Sequence, residues 1–100
     1  MKEVIQKNLL NPDNTYRFMS IVFSDEIYVY HFTDKYYAIS GFCPHFGGPL
    51  TLKNHKIECL WHGWEFHPEN FNCTNHQVNC ALKEYKVSLG TRADQLIITL

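Results

Sequence analysis

The stretch CPHFGGPLTLKNHKIECLWHGWEFH, residues 43–67, carries two Cys/His pairs. The first pair is Cys43-x-His45, the second is Cys59-x2-His62, and residues 46–58 separate them. Glycine or proline accompanies each pair, which predicts that both lie in tight turns. Two thiolates and two imidazoles from two loops make a four-ligand site of mixed sulfur and nitrogen donors. Such a donor set is typical of zinc or of an iron–sulfur cluster.

The composition is that of a globular protein. The chain has 100 residues, of which 45% are hydrophobic and 19% are charged. We expect one domain over residues 1–100, with a modest core that needs no disulfides. The formal net charge is −1, and no long run of either sign indicates a nucleic-acid partner. Residues 1–7 lack the apolar core of a signal peptide and no stretch is suited to span a membrane, so we expect a cytoplasmic location without membrane association.

The four cysteines have two interpretations. In a secreted protein they would form two disulfides. Because no export signal precedes them, a thiolate metal site is the better interpretation for Cys43 and Cys59.

Short β-branched and aromatic runs between turn signals predict an all-β fold with little or no helix. Three runs separated by two or three residues predict an antiparallel meander, with a tight turn at 24–26 after the first of them. Residues 67–82 are Asn-rich and predict an irregular loop. The predicted strands cover residues 2–10, 18–23, 27–32, 35–40, 55–60, 64–66, 84–89 and 95–100.

The Cys/His constellation resembles that of the Rieske iron–sulfur family, whose signature is C-x-H followed by C-x2-H. The resemblance extends to Gly47-Gly48-Pro49-Leu50, to His62-Gly63-Trp64-x-Phe66 and more weakly to the closing strands, so that it covers roughly residues 25–100. It implies an antiparallel β-sandwich or partial barrel with two cluster-binding loops, at about 42–50 and 59–68, at one end. It also implies that Cys43 and Cys59 hold one iron of a [2Fe–2S] cluster, and that His45 and His62 hold the other through Nδ1.

Two other interpretations of the ligands remain. The same four residues would also bind a structural zinc ion, although zinc sites more often pair Cys with Cys and His with His. Cys73-x2-His76 repeats the second motif and competes with Cys59/His62. We favour Cys59/His62 because Gly63 and Trp64 give it a tight turn and aromatic cover.

Two departures from the family pattern predict the redox properties. Some Rieske proteins join the two loops by a disulfide, and the corresponding positions are Gly48 and Trp61, so no such bridge forms here. High-potential members place Ser and Tyr hydroxyls near the cluster, where this chain has Trp64 and Phe66. Fewer hydrogen bonds to the cluster sulfurs favour the oxidised state. We therefore expect a low-potential, ferredoxin-type centre.

The remaining candidate residues have plainer interpretations. We expect free loop thiols at Cys73 and Cys80, an ordinary strand side chain at His31, and solvated loop residues at His55, His67 and His76. The aromatic residues Phe42, Phe46 and Trp61 are interpreted as a hydrophobic collar around the cluster, with plain core as the alternative.

The function that the resemblance implies is one-electron transfer by a small, non-catalytic and monomeric Rieske-type ferredoxin. Its redox partners would be a flavoprotein reductase and a terminal oxygenase. The first alternative is the Rieske component or small subunit of a multicomponent dioxygenase or related oxidoreductase. An oxygenase also needs a two-His, one-carboxylate iron site, for which we expect no room in the chain. A regulatory small subunit of a nitrite-reductase-like enzyme and a zinc-stabilised structural module are remoter alternatives.

Overall fold

The structure, a computed structural model, describes residues 1–44, 47–61, 63–75 and 81–100. Within these residues the chain forms nine strands and one short 3-10 helix, Lys7–Leu9. No helix of the described residues is long and apolar enough to cross a membrane. The strands are β1 Lys2–Gln6, β2 Thr15–Ser20, β3 Asp25–Phe32, β4 Lys35–Ser40, β5 Leu50–Lys53, β6 Lys56–Cys59, β7 Glu65–Phe66, β8 Glu84–Leu89 and β9 Gln95–Thr99.

The strands form a large and a small antiparallel sheet. The large sheet has six strands in the order β1-β9-β8-β4-β3-β2, and the small one has three in the order β5-β6-β7. The two edge strands of the large sheet, β1 and β2, approach each other. Ser20 Oγ on β2 donates a hydrogen bond to Glu3 Oε1 on β1 at 2.8 Å. The all-β, partial-barrel fold predicted from the sequence is therefore confirmed.

Strand β3 is buried on both faces because it separates two cores. Side chains alternate along a strand. Ile27 and Val29 pack in the core of the large sheet, whereas Tyr28 and Tyr30 pack against the small sheet and its loops. All four side chains are buried, so the apolar residues on both faces of β3 join the two sheets into one body.

The predicted bounds of the second strand and of the turn after it were wrong. The strand was expected over residues 18–23, but β2 begins at Thr15 and ends at Ser20. Asp13 Oδ1 accepts hydrogen bonds from the backbone N and Oγ1 of Thr15, which fixes the start of the strand. Asp25 and Glu26 were expected in the turn, but they pair with Ser20 and Met19 as the first residues of β3. The apolar run at 21–23 forms the turn, so hydrophobicity alone misplaced the strand.

Strand β5 was missed because it lies inside the motif that predicted a loop. It pairs with β6 through the two-residue turn Asn54–His55, whose residues have φ of 53° and 63°. Positive φ at both central positions is the geometry that matches the twist of a hairpin. The strands predicted at 84–89 and 95–100 are confirmed as β8 and β9, and the meander is confirmed as β2-β3-β4. Of the predicted irregular region, the described residues make isolated bridges from Phe66 to Cys73 and from Asn72 to Ala81.

Two buried tyrosines make the fold sensitive to alkali. Burial is the main cause that raises the pKa of Tyr30, whose hydroxyl donates to Pro68 O at 2.5 Å. Burial is also the main cause that raises the pKa of Tyr85, and the hydrogen bond from its hydroxyl to Asp25 raises that pKa further. The fold thus holds both phenols neutral, whereas in the unfolded chain they ionise near pH 10. Their contribution to stability is complete below about pH 10 and is lost as the pH rises above that value.

We therefore expect the free energy of unfolding to fall above about pH 10, by at most about 1.4 kcal/mol per pH unit for each tyrosine. Urea unfolding of wild type and Tyr30→Phe at several pH values from about 8 to 11 checks this. Tyr30→Phe should show a shallower alkaline slope. Equal slopes for the two proteins would contradict the assignment.

Candidate metal centre

The first Cys/His loop is closed by its own backbone. Cys43 N donates to Gly48 O at 2.7 Å, and Gly47 N donates back to Cys43 O at 2.9 Å. Below the loop, Phe42 and Pro49 form a bridge and Leu50 N donates to Gly41 O at 2.9 Å. The loop therefore stands on a short antiparallel stem with Gly41 and Leu50 at its base.

The second loop repeats this construction. Cys59 N donates to Trp64 O at 2.8 Å and Gly63 N donates to Cys59 O at 2.9 Å, with the same residue spacing as in the first loop. Gly47 and Gly63 occupy equivalent positions with φ of 76° and 69°. Among the described residues, nothing lies within 4 Å of where a Cβ on either glycine would stand. The backbone conformation, and not the available space, thus favours glycine at both positions.

The two loops lie side by side and bring the two cysteines into one apolar cluster. Leu50 pairs with Cys59 across β5 and β6, and Leu60 N donates to Pro49 O at 3.0 Å. Cys43 and Cys59 are 3% and 0% exposed and belong to the same buried cluster. Two thiols from adjacent turns in an apolar setting are a suitable half of an iron–sulfur or zinc site.

The predicted imidazole ligands, His45 and His62, lie outside the described residues. Their sequence positions are the third residue of the first loop and the fourth residue of the second. Within the described residues, no three His, Cys, Asp or Glu side chains are gathered as a metal site. The part of the predicted site that is described is therefore the cysteine pair.

Gly48 marks the contact between the two loops. A Cβ added there would stand 2.9 Å from Cys59 Sγ and 2.8 Å from Trp61 Cγ. It would also stand 3.0 Å from Trp61 Cβ, so positions 48 and 61 face each other as the family resemblance implied. In place of a disulfide, the loops meet through the Trp61 side chain packed on the bare Gly48 backbone.

A third segment, which no sequence motif indicates, supports the second loop. The Asn75 side chain accepts a hydrogen bond from Glu65 N and donates one to Gly63 O, both at 2.9 Å. Thr74 N adds a bond to Glu65 O at 2.8 Å. The amide of Asn75 thus pairs with the backbone just after the second Cys/His motif. Nothing in the local sequence pattern distinguishes Asn75 from the other asparagines of this segment.

The described histidines and the described cysteine outside the four-ligand set lie in strands, turns or loops of ordinary structure. His31 is half-buried and stacks on Tyr36 at 4.5 Å, and His55 is an exposed turn residue. His67 lies in a loop as expected, half-buried, and its Nδ1 accepts exposed hydrogen bonds from Glu69 N and Asn70 N. Cys73 is a half-buried thiol whose Sγ lies 3.7 Å from Asn75 Oδ1. Residues Phe46, His76 and Cys80 lie outside the described residues.

An exposed apolar rim flanks the two loops. Phe42 is 40% exposed and Trp61 is 65% exposed, so the alternative that they form plain core was wrong. Leu60, which no sequence motif indicates, lies between Cys59 and Trp61 and is 59% exposed. We call Phe42, Leu60 and Trp61 the apolar rim.

Comparison with known proteins gives matches in sequence and in structure. The chain matches the Rieske [2Fe-2S] domain family over residues 3–86. A cholesterol 7-desaturase of Xenopus laevis is 39% identical over 44 residues, a match that covers 40% of this chain and 10% of that protein.

Three solved structures share the fold at low sequence identity. The ferredoxin of carbazole 1,9a-dioxygenase from Nocardioides aromaticivorans IC177 has a TM-score of 0.71 at 23% identity, over 96% of this chain and 93% of that chain. The terminal oxygenase of carbazole 1,9a-dioxygenase from Novosphingobium sp. KA1 has a TM-score of 0.75 at 18% identity, over 97% of this chain and 28% of that chain. The plasma membrane Rieske protein of the cyanobacterium Synechocystis PCC 6803 has a TM-score of 0.74 at 16% identity, over 95% of both chains.

Proposed function

Since the chain belongs to the Rieske [2Fe-2S] domain family, whose cofactor is a [2Fe–2S] cluster, we propose that Cys43, His45, Cys59 and His62 hold that cluster. The described half of the site fits the group, because two buried thiols stand on equivalent turns in one apolar cluster. The paired loops fix the cysteine backbones through four hydrogen bonds between main-chain atoms. The surrounding side chains exclude water from the sulfur atoms.

We propose that the protein carries single electrons between a reductase and a terminal oxygenase and does not catalyse a reaction itself. When bound, the cluster supplies reversible one-electron chemistry, and histidine in place of cysteine raises its potential, as is established for Rieske centres generally. The observation that carries the proposal is the contact at Gly48. There the buried Cys59 Sγ and the exposed Trp61 side chain both lie within 2.9 Å of the position that a Cβ on Gly48 would occupy. The electron therefore has a short path from the site to the surface.

The apolar rim is suited to a transient protein partner. It is small and it adjoins the site, so a partner that covered it would bring its own redox centre close to the cysteine loops. The likeness to a ferredoxin of a dioxygenase, over nearly the whole of both chains, supports this role. The monomeric state and the cytoplasmic location stay predictions.

Electron transfer is tested with purified protein and cytochrome c as the acceptor. We expect the chemically reduced protein to deliver one electron for every two irons, with the visible spectrum returning to its oxidised form. Trp61→Ala should slow this transfer, and Leu89→Ala, at an exposed position in β8, serves as a matched surface control. A protein that passes no electron, or that oxidises an organic substrate on its own, would contradict the carrier function.

We predict a reduction potential at the low end of the Rieske range, about −150 mV. Two tyrosines of the apolar core around Cys43 and Cys59 form hydrogen bonds with the backbone through their hydroxyls. Tyr30 Oη donates to Pro68 O, and Tyr28 Oη accepts from Leu52 N. Trp64 and Phe66, which follow His62 in the sequence, have no hydroxyl to donate to the cluster. Protein-film voltammetry measures the midpoint. A value well above zero would contradict the prediction.

A second candidate function is the Rieske domain of an oxygenase. It is favoured by the likeness to the carbazole terminal oxygenase and to the cholesterol 7-desaturase, each over a minor part of that protein. For this function the electron acceptor would be a mononuclear iron in a separate domain. Iron analysis of the protein purified from its native source separates the two functions, because a carrier has two irons for two acid-labile sulfides, whereas an oxygenase that includes the second domain has an additional iron.

A further inference from the structure

The guanidinium of Arg17 connects the large sheet to the base of the first cysteine loop. Arg17 lies on β2, outside both Cys/His motifs. Its Nη1 donates to Glu26 Oε1 at 2.9 Å and to Gly41 O at 3.2 Å, and its Nη2 donates to Leu50 O. The guanidinium also lies over the Tyr28 ring, 4.5 Å from its centroid. Arg17 is thereby held in place from the large sheet while it binds two carbonyls of the loop stem.

The two carbonyls belong to the residues that determine where the cysteines stand. Gly41 and Leu50 pair with each other below the first loop, and Leu50 also pairs with Cys59. A shift of Leu50 would therefore move Cys43 and Cys59 together relative to the large sheet. Arginine suits this role because its planar fork places several N–H groups on separate acceptors at once, which a lysine ammonium does less well.

The site around Arg17 is closely fitted. A Cβ on Gly41 would stand 2.8 Å from Arg17 Nη1 and 3.3 Å from Glu26 Oε1, so a side chain there would displace the guanidinium. The charge of Arg17 is balanced by Glu26, and the two side chains are 32% and 21% exposed. The contribution of Arg17 to the cysteine loops is therefore one of position and not of net charge.

We propose that Arg17 is a positioning residue for the [2Fe–2S] site, and that retention of the cluster depends on it more strongly than the stability of the fold does. This rests on the proposed role of Cys43 and Cys59 as ligands. Glu26 orients the fork, Tyr28 supports its face, and Gly41 leaves the space that it occupies.

The test compares holoprotein of wild type, Arg17→Gln and Arg17→Lys with two controls. Tyr85→Phe loses the hydrogen bond to Asp25 within the large sheet and leaves the loop stem intact. Arg92→Gln removes a formal charge of the same sign from the turn before β9. For each protein, three quantities are measured: the rate of iron release from the dithionite-reduced protein to ferrozine, a chelator of ferrous iron; the thermal unfolding midpoint; and the EPR spectrum of the reduced cluster.

We expect Arg17→Gln to release iron at least tenfold faster than Tyr85→Phe. The two variants are compared at temperatures that lie equally far below their thermal unfolding midpoints. Its reduced EPR signal should be broadened, Arg17→Lys should be intermediate, and the controls should keep the wild-type spectrum. If Arg17→Gln does not fold, the same comparison is made with Arg17→Lys. Iron release that follows the unfolding midpoint alike in all variants, with unchanged spectra, would overturn the proposal. A wild-type protein without a cluster would instead overturn the proposed function.

Discussion

We expect Cys59→Ser to lose the cluster, whereas Cys73→Ser should keep it. Cys59 is fully buried, begins the second closed loop and lies beside Gly48. Cys73 is half-buried outside that loop, with its Sγ near Asn75 Oδ1. Since two Cys thiolates hold one of the two irons in a Rieske centre, we expect more than a tenfold loss of bound iron and acid-labile sulfide in the first variant alone. Visible absorption and chemical analysis of anaerobically purified proteins measure this.

The pair of variants also decides between the two C-x2-H copies in the sequence. His62→Ala should impair the cluster and His76→Ala should not. Loss of the cluster in Cys73→Ser with retention in Cys59→Ser would contradict the assignment of the second loop.

Gly48→Ala should weaken retention of the cluster, because the two loops meet at this glycine. The added Cβ would stand 2.9 Å from Cys59 Sγ and 2.8 Å from Trp61 Cγ, distances at which atoms must move apart. Because the neighbours are a buried ligand and a large ring, the shift should separate the two loops. We expect at least a tenfold faster loss of the cluster to a chelator, measured by visible absorption.

Gly47→Ala is the matched control, because it adds the same methyl group to the neighbouring glycine but causes backbone strain in place of steric overlap. Gly47 has a positive φ, so alanine there introduces backbone strain of about 1–2 kcal/mol, but no described atom lies within 4 Å of its Cβ position. We expect this variant to lose folding stability while it keeps its cluster better than Gly48→Ala. Equal retention in Gly48→Ala and wild type would show that the loops do not meet at this point.

The fold was predictable to the extent that local pattern determines it. Strand β3 has β-branched and aromatic residues throughout, so it was recognisable although its burial on two faces was not. Strand β2 was misplaced because Ile21 is apolar and yet 91% exposed in a turn. Its bounds depend on the local hydrogen bonds from Thr15 to Asp13, which hydrophobicity does not indicate, and on pairing with β3, which is a tertiary feature.

The site was predictable in its chemistry and not in its support. The Cys/His spacing and the glycines indicated both loops, and the structure places Cys43 and Cys59 together. Arg17 and Asn75 were not predictable, because each bonds backbone groups that lie far away in the sequence. Hydrogen bonds to carbonyls leave no pattern in the sequence, since every residue has a carbonyl.

Pulsed EPR of the reduced protein, together with iron and sulfide analysis, shows whether two cysteines and two histidines hold a [2Fe–2S] cluster. We predict two irons, two acid-labile sulfides and hyperfine couplings from two nitrogen atoms. A colourless protein with one zinc ion, or a reduced cluster without nitrogen couplings, would contradict the account.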